Sequence, residues 1–99
     1  MVYSTLKAGV VHYTRCLAKE LLEDGVRVNV VSPGPTKTAR FQATRVVDPN
    51  RMDSAAKSFN RYAEPEEIAE AVAFLAGPRA KFINGQVLRV DGGLSLFAG

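Results

Sequence analysis

The sequence predicts part of a parallel α/β domain with the element order helix, strand, loop, helix, strand. A long segment with helical periodicity precedes a valine-rich segment, and a second helix-to-strand unit follows after a loop. A helix between two strands favours a right-handed crossover and parallel pairing. Because two parallel strands are not expected to be stable alone, further strands from a missing amino-terminal part or from another chain should complete the sheet.

The first predicted element is a helix over residues 3–23. Its apolar residues recur at helical spacing in two stripes, which are Leu6, Val10, Tyr13, Leu17 and Leu21 on one side and Ala8, Val11, Ala18 and Leu22 on the other. Such a helix must pack against other protein elements over more than half of its circumference. Asp24 and Gly25 end it, since glycine suits the left-handed position after a last turn.

A strand over residues 26–32 follows, because a nearly continuous, valine-rich apolar run is typical of a strand buried on both faces. Asn29, a polar residue in this run, is expected to hydrogen-bond neighbouring backbone. Two prolines then remove backbone donors and end the strand, which places a tight turn at residues 33–38. In open parallel sheets, ligands bind at this carboxyl end of the strands.

Residues 39–63 show no sustained period, apart from a short helix predicted over 54–59 with Asp53 as its cap. A connection of this length is typical of a lid or binding loop, or of a disordered segment. Basic residues are frequent in this loop and just before it: Lys37, Arg40, Arg45, Arg51, Lys57 and Arg61. We interpret them as solvated, with an anionic or phosphorylated substrate as the alternative.

The second helix is predicted over residues 65–76. Pro65 suits a first turn, two glutamates follow it, and a Gly-Pro pair closes the helix. An Asn-Gly turn then leads to a strand over residues 86–90, which ends at Asp91 and the two glycines after it.

Composition and charge exclude several classes of function. With 46% hydrophobic and 23% charged residues, the 99-residue chain has an ordinary folded composition. No apolar run approaches the roughly 20 residues that span a bilayer, so no membrane contact is expected. Cys16 is the only cysteine and no metal-ligand spacing occurs, which favours a reducing, cytoplasmic location and no metal site. The net charge of +3 is too small and too dispersed to indicate nucleic-acid binding.

Tyr3 and Lys7 are the strongest candidates for chemistry. They lie four residues apart, so their side chains can meet on one face of the first helix. With successive residues rotated by about 100°, Lys7 falls inside the apolar arc, where an ammonium needs a partner or a task. An adjacent ammonium lowers the pKa of a phenol from its ordinary value of about 10, which suits a tyrosine for proton exchange with a carbonyl or alcohol. Because this spacing often arises by chance, the pair gains weight only from its context.

Four motifs supply that context. In chain order they are Tyr3-Ser4-Thr5-Leu6-Lys7-Ala8, Asn29-Val30-Val31-Ser32-Pro33-Gly34-Pro35-Thr36-Lys37-Thr38, Pro65-Glu66-Glu67-Ile68-Ala69 and Asn84-Gly85-Gln86-Val87-Leu88-Arg89-Val90-Asp91-Gly92-Gly93. Together they cover nearly the whole chain, and they resemble the short-chain dehydrogenase/reductase family.

The resemblance implies the carboxy-terminal part of a doubly wound parallel-sheet (Rossmann-type) domain. It also implies an oxidoreductase that transfers hydride between a nicotinamide cofactor, NAD or NADP, and a carbonyl or alcohol substrate. By this resemblance Tyr3 is the catalytic acid/base, and Lys7 lowers its pKa and binds the nicotinamide ribose. The turn passes beside the nicotinamide, with cofactor contacts at Pro33, Gly34, Thr36 and Thr38. The loop from residue 39 onward is then the substrate lid, and the first helix matches one that packs in a four-helix subunit interface.

The sequence resembles only the last two-fifths of that family. No glycine-rich phosphate loop follows a strand, and only two residues precede Tyr3. The isolated chain is therefore expected to be inactive. Its partner is expected to be a complementing amino-terminal half or other subunits of a homo-oligomer. A non-catalytic truncated module that docks on full-length subunits, and an incomplete gene model, are the alternatives.

Overall fold

The computed structural model describes residues 2–44 and 46–97, without the side chains of residues 2–8, 40, 41, 44 and 97. Its helices and strands, in chain order, are α1 (Val2–Glu20), β1 (Val30–Pro33), α2 (Ala39–Thr44), α3 (Pro65–Ala76) and β2 (Val87–Val90). The two strands pair in parallel, with Val30 opposite Val87 and Pro33 opposite Val90. The predicted α/β class and parallel pairing are confirmed.

The first helix ends earlier than the predicted span of 3–23. Its α-helical part stops at Glu20, and a single 3₁₀ turn over Leu22–Asp24 follows. The amide of Gly25 donates to the carbonyl of Leu22 at 3.2 Å, and Gly25 adopts a positive φ of 71°. A last turn that tightens into 3₁₀ geometry in this way satisfies carbonyls that a longer α-helix would leave without partners.

The strand predicted over 26–32 is wrong in its first half, since β1 begins only at Val30. Residues before it lie opposite a turn rather than a strand, and side chains provide part of their hydrogen bonds. The carbonyl of Val28 accepts from the amide of Gly85 at 2.9 Å. The amide of Val28 donates to Oδ1 of Asn84 at 2.9 Å. Asn29 bonds backbone on both sides, as expected, by donating to the carbonyl of Ile83 and accepting from the amide of Gln86. The second bond also explains why β2 starts at Val87 and not at residue 86.

The long loop contains different local structure from that predicted. Residues 54–59 form turns and bends instead of a helix, while α2 and a 3₁₀ turn over Pro49–Arg51 lie closer to its start. Asp53 does bond a following amide, that of Ala55, at 3.0 Å, and Ser58 accepts from the amide of Asn60 at 3.0 Å. Such local side-chain bonds close turns and compete with the helical pattern.

The helix α3 spans residues 65–76, as predicted. Its carboxyl end is bound by Arg27, a residue outside the helix. The guanidinium of Arg27 donates to the carbonyl of Leu75 at 2.6 Å and to that of Gly77 at 3.3 Å. Both carbonyls lie at the carboxyl end of the helix, where a cation is favourable. Arg27 therefore ties the segment before β1 to α3.

Over residues 9–20, where side chains are described, much of the apolar surface of α1 is exposed within this chain. On this helix Thr14 and Ala18 are buried, whereas Val10 is 56% and Tyr13 is 66% exposed. Among the described residues the sheet has two strands, and no helix is both long and apolar enough to cross a membrane. This exposure supports the inference that further elements pack against α1 and extend the sheet.

Candidate active site

The carboxyl ends of the two strands meet very closely at Gly34. Its amide donates to the carbonyl of Val90 at 3.0 Å. A Cβ atom at Gly34 would lie 2.8 Å from Cβ and 2.9 Å from Cα of Asp91. Glycine is thus needed at this position for the packing of the two strand ends, a reason that the sequence alone did not reveal.

The turn after β1 is joined to the end of the long loop. Thr36 and Ala63 form a parallel bridge, in which the amide of Lys37 donates to the carbonyl of Ala63 and the amide of Ala63 to that of Pro35, both at 2.9 Å. Thr36 is buried, and its hydroxyl donates to the carbonyl of Gly34 at 2.8 Å. Since the hydrogen of this hydroxyl is donated within the turn, the contacts left to Thr36 are those of its backbone and of the hydroxyl oxygen as an acceptor.

The predicted catalytic pair lies at the start of α1. The helix backbone carries Tyr3 and Lys7 one turn apart, and the side chains of both residues lie outside the described part of the chain. The position of Lys7 precedes Thr14 by seven residues and Ala18 by eleven, about two and three helical turns. Both of these residues are buried, so the position of Lys7 belongs to the stripe of α1 that faces the rest of the fold.

Three basic residues interpreted as solvated, or as available to an anionic substrate, are bound within the protein. The ammonium of Lys37 donates to Glu64 Oε1 at 2.8 Å, and the guanidinium of Arg61 binds both carboxylate oxygens of Glu67, at 2.8 and 3.0 Å. The guanidinium carbon of Arg51 lies 4.6 Å from the centroid of the Tyr62 ring. The solvated interpretation is wrong for these three residues, because their partners come together only in the folded loop. The alternative of an anionic substrate stays a prediction. Lys57 is exposed.

The two glutamates at the start of α3 are held in the ionised form. The guanidinium of Arg61, with the amide of Glu64 as a further donor, lowers the pKa of Glu67 to about 2. Hydrogen bonds from Lys37 and Ser54 lower the pKa of Glu64. These carboxylates therefore bind the loop electrostatically to the first turn of the helix.

Removal of the Glu67 charge should change how stability depends on pH. Because the folded-state pKa lies below the unfolded value, the ion pair stabilises the fold fully above about pH 4.5, and this contribution is lost as the pH falls towards 2. We expect Glu67→Gln to lower the unfolding temperature at pH 7, with a difference from wild type that disappears near pH 2. Glu66→Gln, at an exposed neighbouring position, is the control. A difference that is independent of pH would contradict this assignment.

A cleft with a volume of about 200 Å³ opens at the carboxyl ends of β1 and β2. Pro35, Phe59 and Val90 contribute apolar surface to its lining. Phe59 was not predicted as a site residue, and no sequence signal marked it, because its place depends on the turns of the preceding residues. Within the described side chains, no group of three metal-binding residues comes together.

Comparisons with known proteins agree with this architecture. A family model described as enoyl-(acyl carrier protein) reductase matches residues 1–95. The chain is 42% identical over 93 residues to a 3-oxoacyl-[acyl-carrier-protein] reductase of Vibrio cholerae, covering 93% of this chain and 37% of that protein. It is 44% identical over 91 residues to a cis-4-hydroxycyclohexanecarboxylate dehydrogenase of Sinomonas cyclohexanicum, covering 92% of this chain and 36% of that protein.

A solved structure shows the same fold. A short chain dehydrogenase/reductase family protein superposes with a TM-score of 0.74 at 47% identity, covering 92% of this chain and 36% of the other. The chain thus spans well under half the length of the relatives that it matches. Its two strands and their flanking helices are part of a Rossmann-type parallel-sheet domain. The chain belongs to the short-chain dehydrogenase/reductase family.

Proposed function

We propose that this chain supplies the catalytic helix and the nicotinamide-side turn of an NAD(P)-dependent oxidoreductase. The single observation that carries the proposal is a spacing along α1 in a chain of this family: Lys7 follows Tyr3 by one turn and is in helical register with the buried residues Thr14 and Ala18. An ammonium at such a position requires a function or a partner. The tyrosine one turn away provides one.

In this proposal Tyr3 exchanges a proton with the carbonyl or alcohol oxygen of the substrate. The ammonium of Lys7 favours the phenolate, lowers the pKa of Tyr3 and binds the nicotinamide ribose. The bound nicotinamide cofactor, NAD or NADP, supplies the hydride chemistry.

The turn after β1 fits the nicotinamide side of such a cofactor. It lies at the carboxyl end of a parallel strand, which is the ligand-binding edge of sheets of this type. Pro33 and Gly34 set its course, while Thr36 and Thr38 are the proposed cofactor contacts. The hydroxyl of Thr36 already donates its hydrogen to the carbonyl of Gly34, and the contact is proposed through the backbone.

We propose further that the 99 residues by themselves are inactive. They contain no glycine-rich loop to hold the pyrophosphate, and the chain spans 37% of its Vibrio cholerae relative. The cofactor site would be completed by an amino-terminal half or within a homo-oligomer, in a reducing, cytoplasmic setting.

One other function is favoured by a specific observation. The exposed apolar stripe of α1, with Val10 56% exposed, suits a non-catalytic module that docks on full-length subunits. In that case the chain would bind its partner without supporting turnover.

The test is a cofactor titration of two proteins. One is the 99-residue chain; the other is a chimera in which residues 1–95 replace the matched segment of the Vibrio cholerae 3-oxoacyl-[acyl-carrier-protein] reductase. We expect NADH or NADPH to be quenched saturably by the chimera and not by the chain alone. Binding by the chain alone would contradict its incompleteness. A folded chimera that binds cofactor without reducing a 3-oxoacyl thioester would favour the docking module.

A further inference from the structure

The ammonium of Lys37 uses all of its hydrogens within the protein. It donates to the carbonyl of Met52 at 2.5 Å, to the hydroxyl of Ser54 at 2.7 Å and to the carboxylate of Glu64 at 2.8 Å. An ammonium has three donors, so this set saturates it. The side chain is only 16% exposed, and Ser54 also donates directly to Glu64. One cation thus joins residues 52–54 of the long loop to Glu64, the residue before α3.

The main chain of Lys37 reinforces this connection. Its amide donates to the carbonyl of Ala63, within the bridge that joins the turn to the end of the loop. Lys37 also lies between Thr36 and Thr38, the two threonines that the proposed function places beside the cofactor. A displacement of the turn would therefore also displace residues 52–64.

The segment that Lys37 holds, residues 48–64, is folded around Tyr62. This side chain is 3% exposed, and its hydroxyl accepts from the amide of Asp48 at 2.8 Å. The amide of Tyr62 donates to the carbonyl of Arg51 at 2.9 Å, and the guanidinium of Arg51 stacks over the Tyr62 ring. The second half of the predicted lid is thus held together around one buried side chain.

We propose that Lys37 is a positioning residue that fastens residues 48–64, as a preformed wall of the substrate site, to the cofactor-side turn. The proposal rests on the proposed function, which assigns the turn to the cofactor and residues 48–64 to the substrate. It confines lid movement to the first part of the loop, around α2, and makes the placement of the substrate depend on a residue that touches neither substrate nor cofactor.

The chemistry of the contacts explains why lysine suits this position. Its tetrahedral donors reach acceptors in three different directions, whereas the planar fork of arginine favours one carboxylate. Methionine has a similar length but donates no hydrogen bond. Replacing Lys37 by methionine would leave the partly buried Glu64 without its cation, while arginine would retain the ion pair and lose part of the network.

Hydrogen exchange of the 99-residue chain without cofactor tests the fastening directly. In Lys37→Met the amides of Tyr62 and Ala63 should exchange about tenfold faster than in wild type, because bonds to a charged donor are lost. Amides in the middle of α3 should be unchanged, and Lys57→Met, at an exposed lysine of the same segment, should have no effect. Glu64→Gln retains an acceptor and should give a smaller change. Equal exchange in Lys37→Met and wild type, or no protection of these amides in wild type, would overturn the proposal.

Kinetics of the chimera test the positioning role. Lys37→Met should raise the KM for a 3-oxoacyl thioester about tenfold and leave the Kd for NADPH unchanged, and Lys37→Arg should restore part of the loss. An unchanged KM, or an equal weakening of cofactor binding, would refute positioning of the substrate wall. Failure of the chimera to bind cofactor would refute the proposed function while leaving the exchange result on the fastening intact.

Discussion

Replacing Tyr3 by phenylalanine should lower turnover of the chimera by about 10²- to 10⁴-fold, the usual contribution of a positioned acid/base. The phenol is proposed to move the proton while the cofactor moves the hydride, so its loss removes a step that bulk water replaces poorly. The measurement is the steady-state rate of NADPH oxidation with a 3-oxoacyl thioester.

Two further measurements make this result specific. Tyr13→Phe, at a tyrosine of the same helix that is 66% exposed, should leave the rate unchanged. The Kd for NADPH should also stay the same in Tyr3→Phe, because the cofactor contacts are assigned to Lys7 and the turn. A Tyr3→Phe protein with the wild-type rate would contradict the catalytic assignment and favour the docking module.

Gly34→Ala should destabilise the fold by about 1–3 kcal/mol, the usual cost of forcing an extra group into a packed site. The new methyl group would meet the backbone of Asp91 at 2.9 Å and its Cβ at 2.8 Å, so the strand ends must separate. Chemical unfolding of the 99-residue chain measures the difference in the free energy of unfolding.

Gly9→Ala is the matched control because it makes the same chemical change in open space. Nothing lies within 4 Å of a Cβ at Gly9, which is in the interior of α1. Alanine is favoured over glycine in a helix interior, so this variant should be more stable by about 0.5–1 kcal/mol. Opposite signs for the two variants are expected; a neutral Gly34→Ala would mean that the strand ends are less closely packed than the structure indicates.

Local signals predicted the bounds of α3 better than those of β1. The bounds of α3 follow from Pro65 at its first turn and from Gly77 after its last, both of which act within a few residues. The extent of β1 depends on which residues lie opposite, and those residues are more than fifty positions away in the chain. Valine-rich composition could not reveal that Asn84 would bond residue 28 in place of a strand.

For the site, the sequence by itself determined the α/β class, the parallel unit, the family resemblance, and the spacing of Tyr3 and Lys7 on one helix, because these depend on periodicity and short motifs. The tertiary structure decided which charges pair, that Lys37 and Arg61 bind glutamates, and that Gly34 lies against Asp91. Ion pairs and close packing depend on distances between segments far apart in the chain, and periodicity carries no information about those distances.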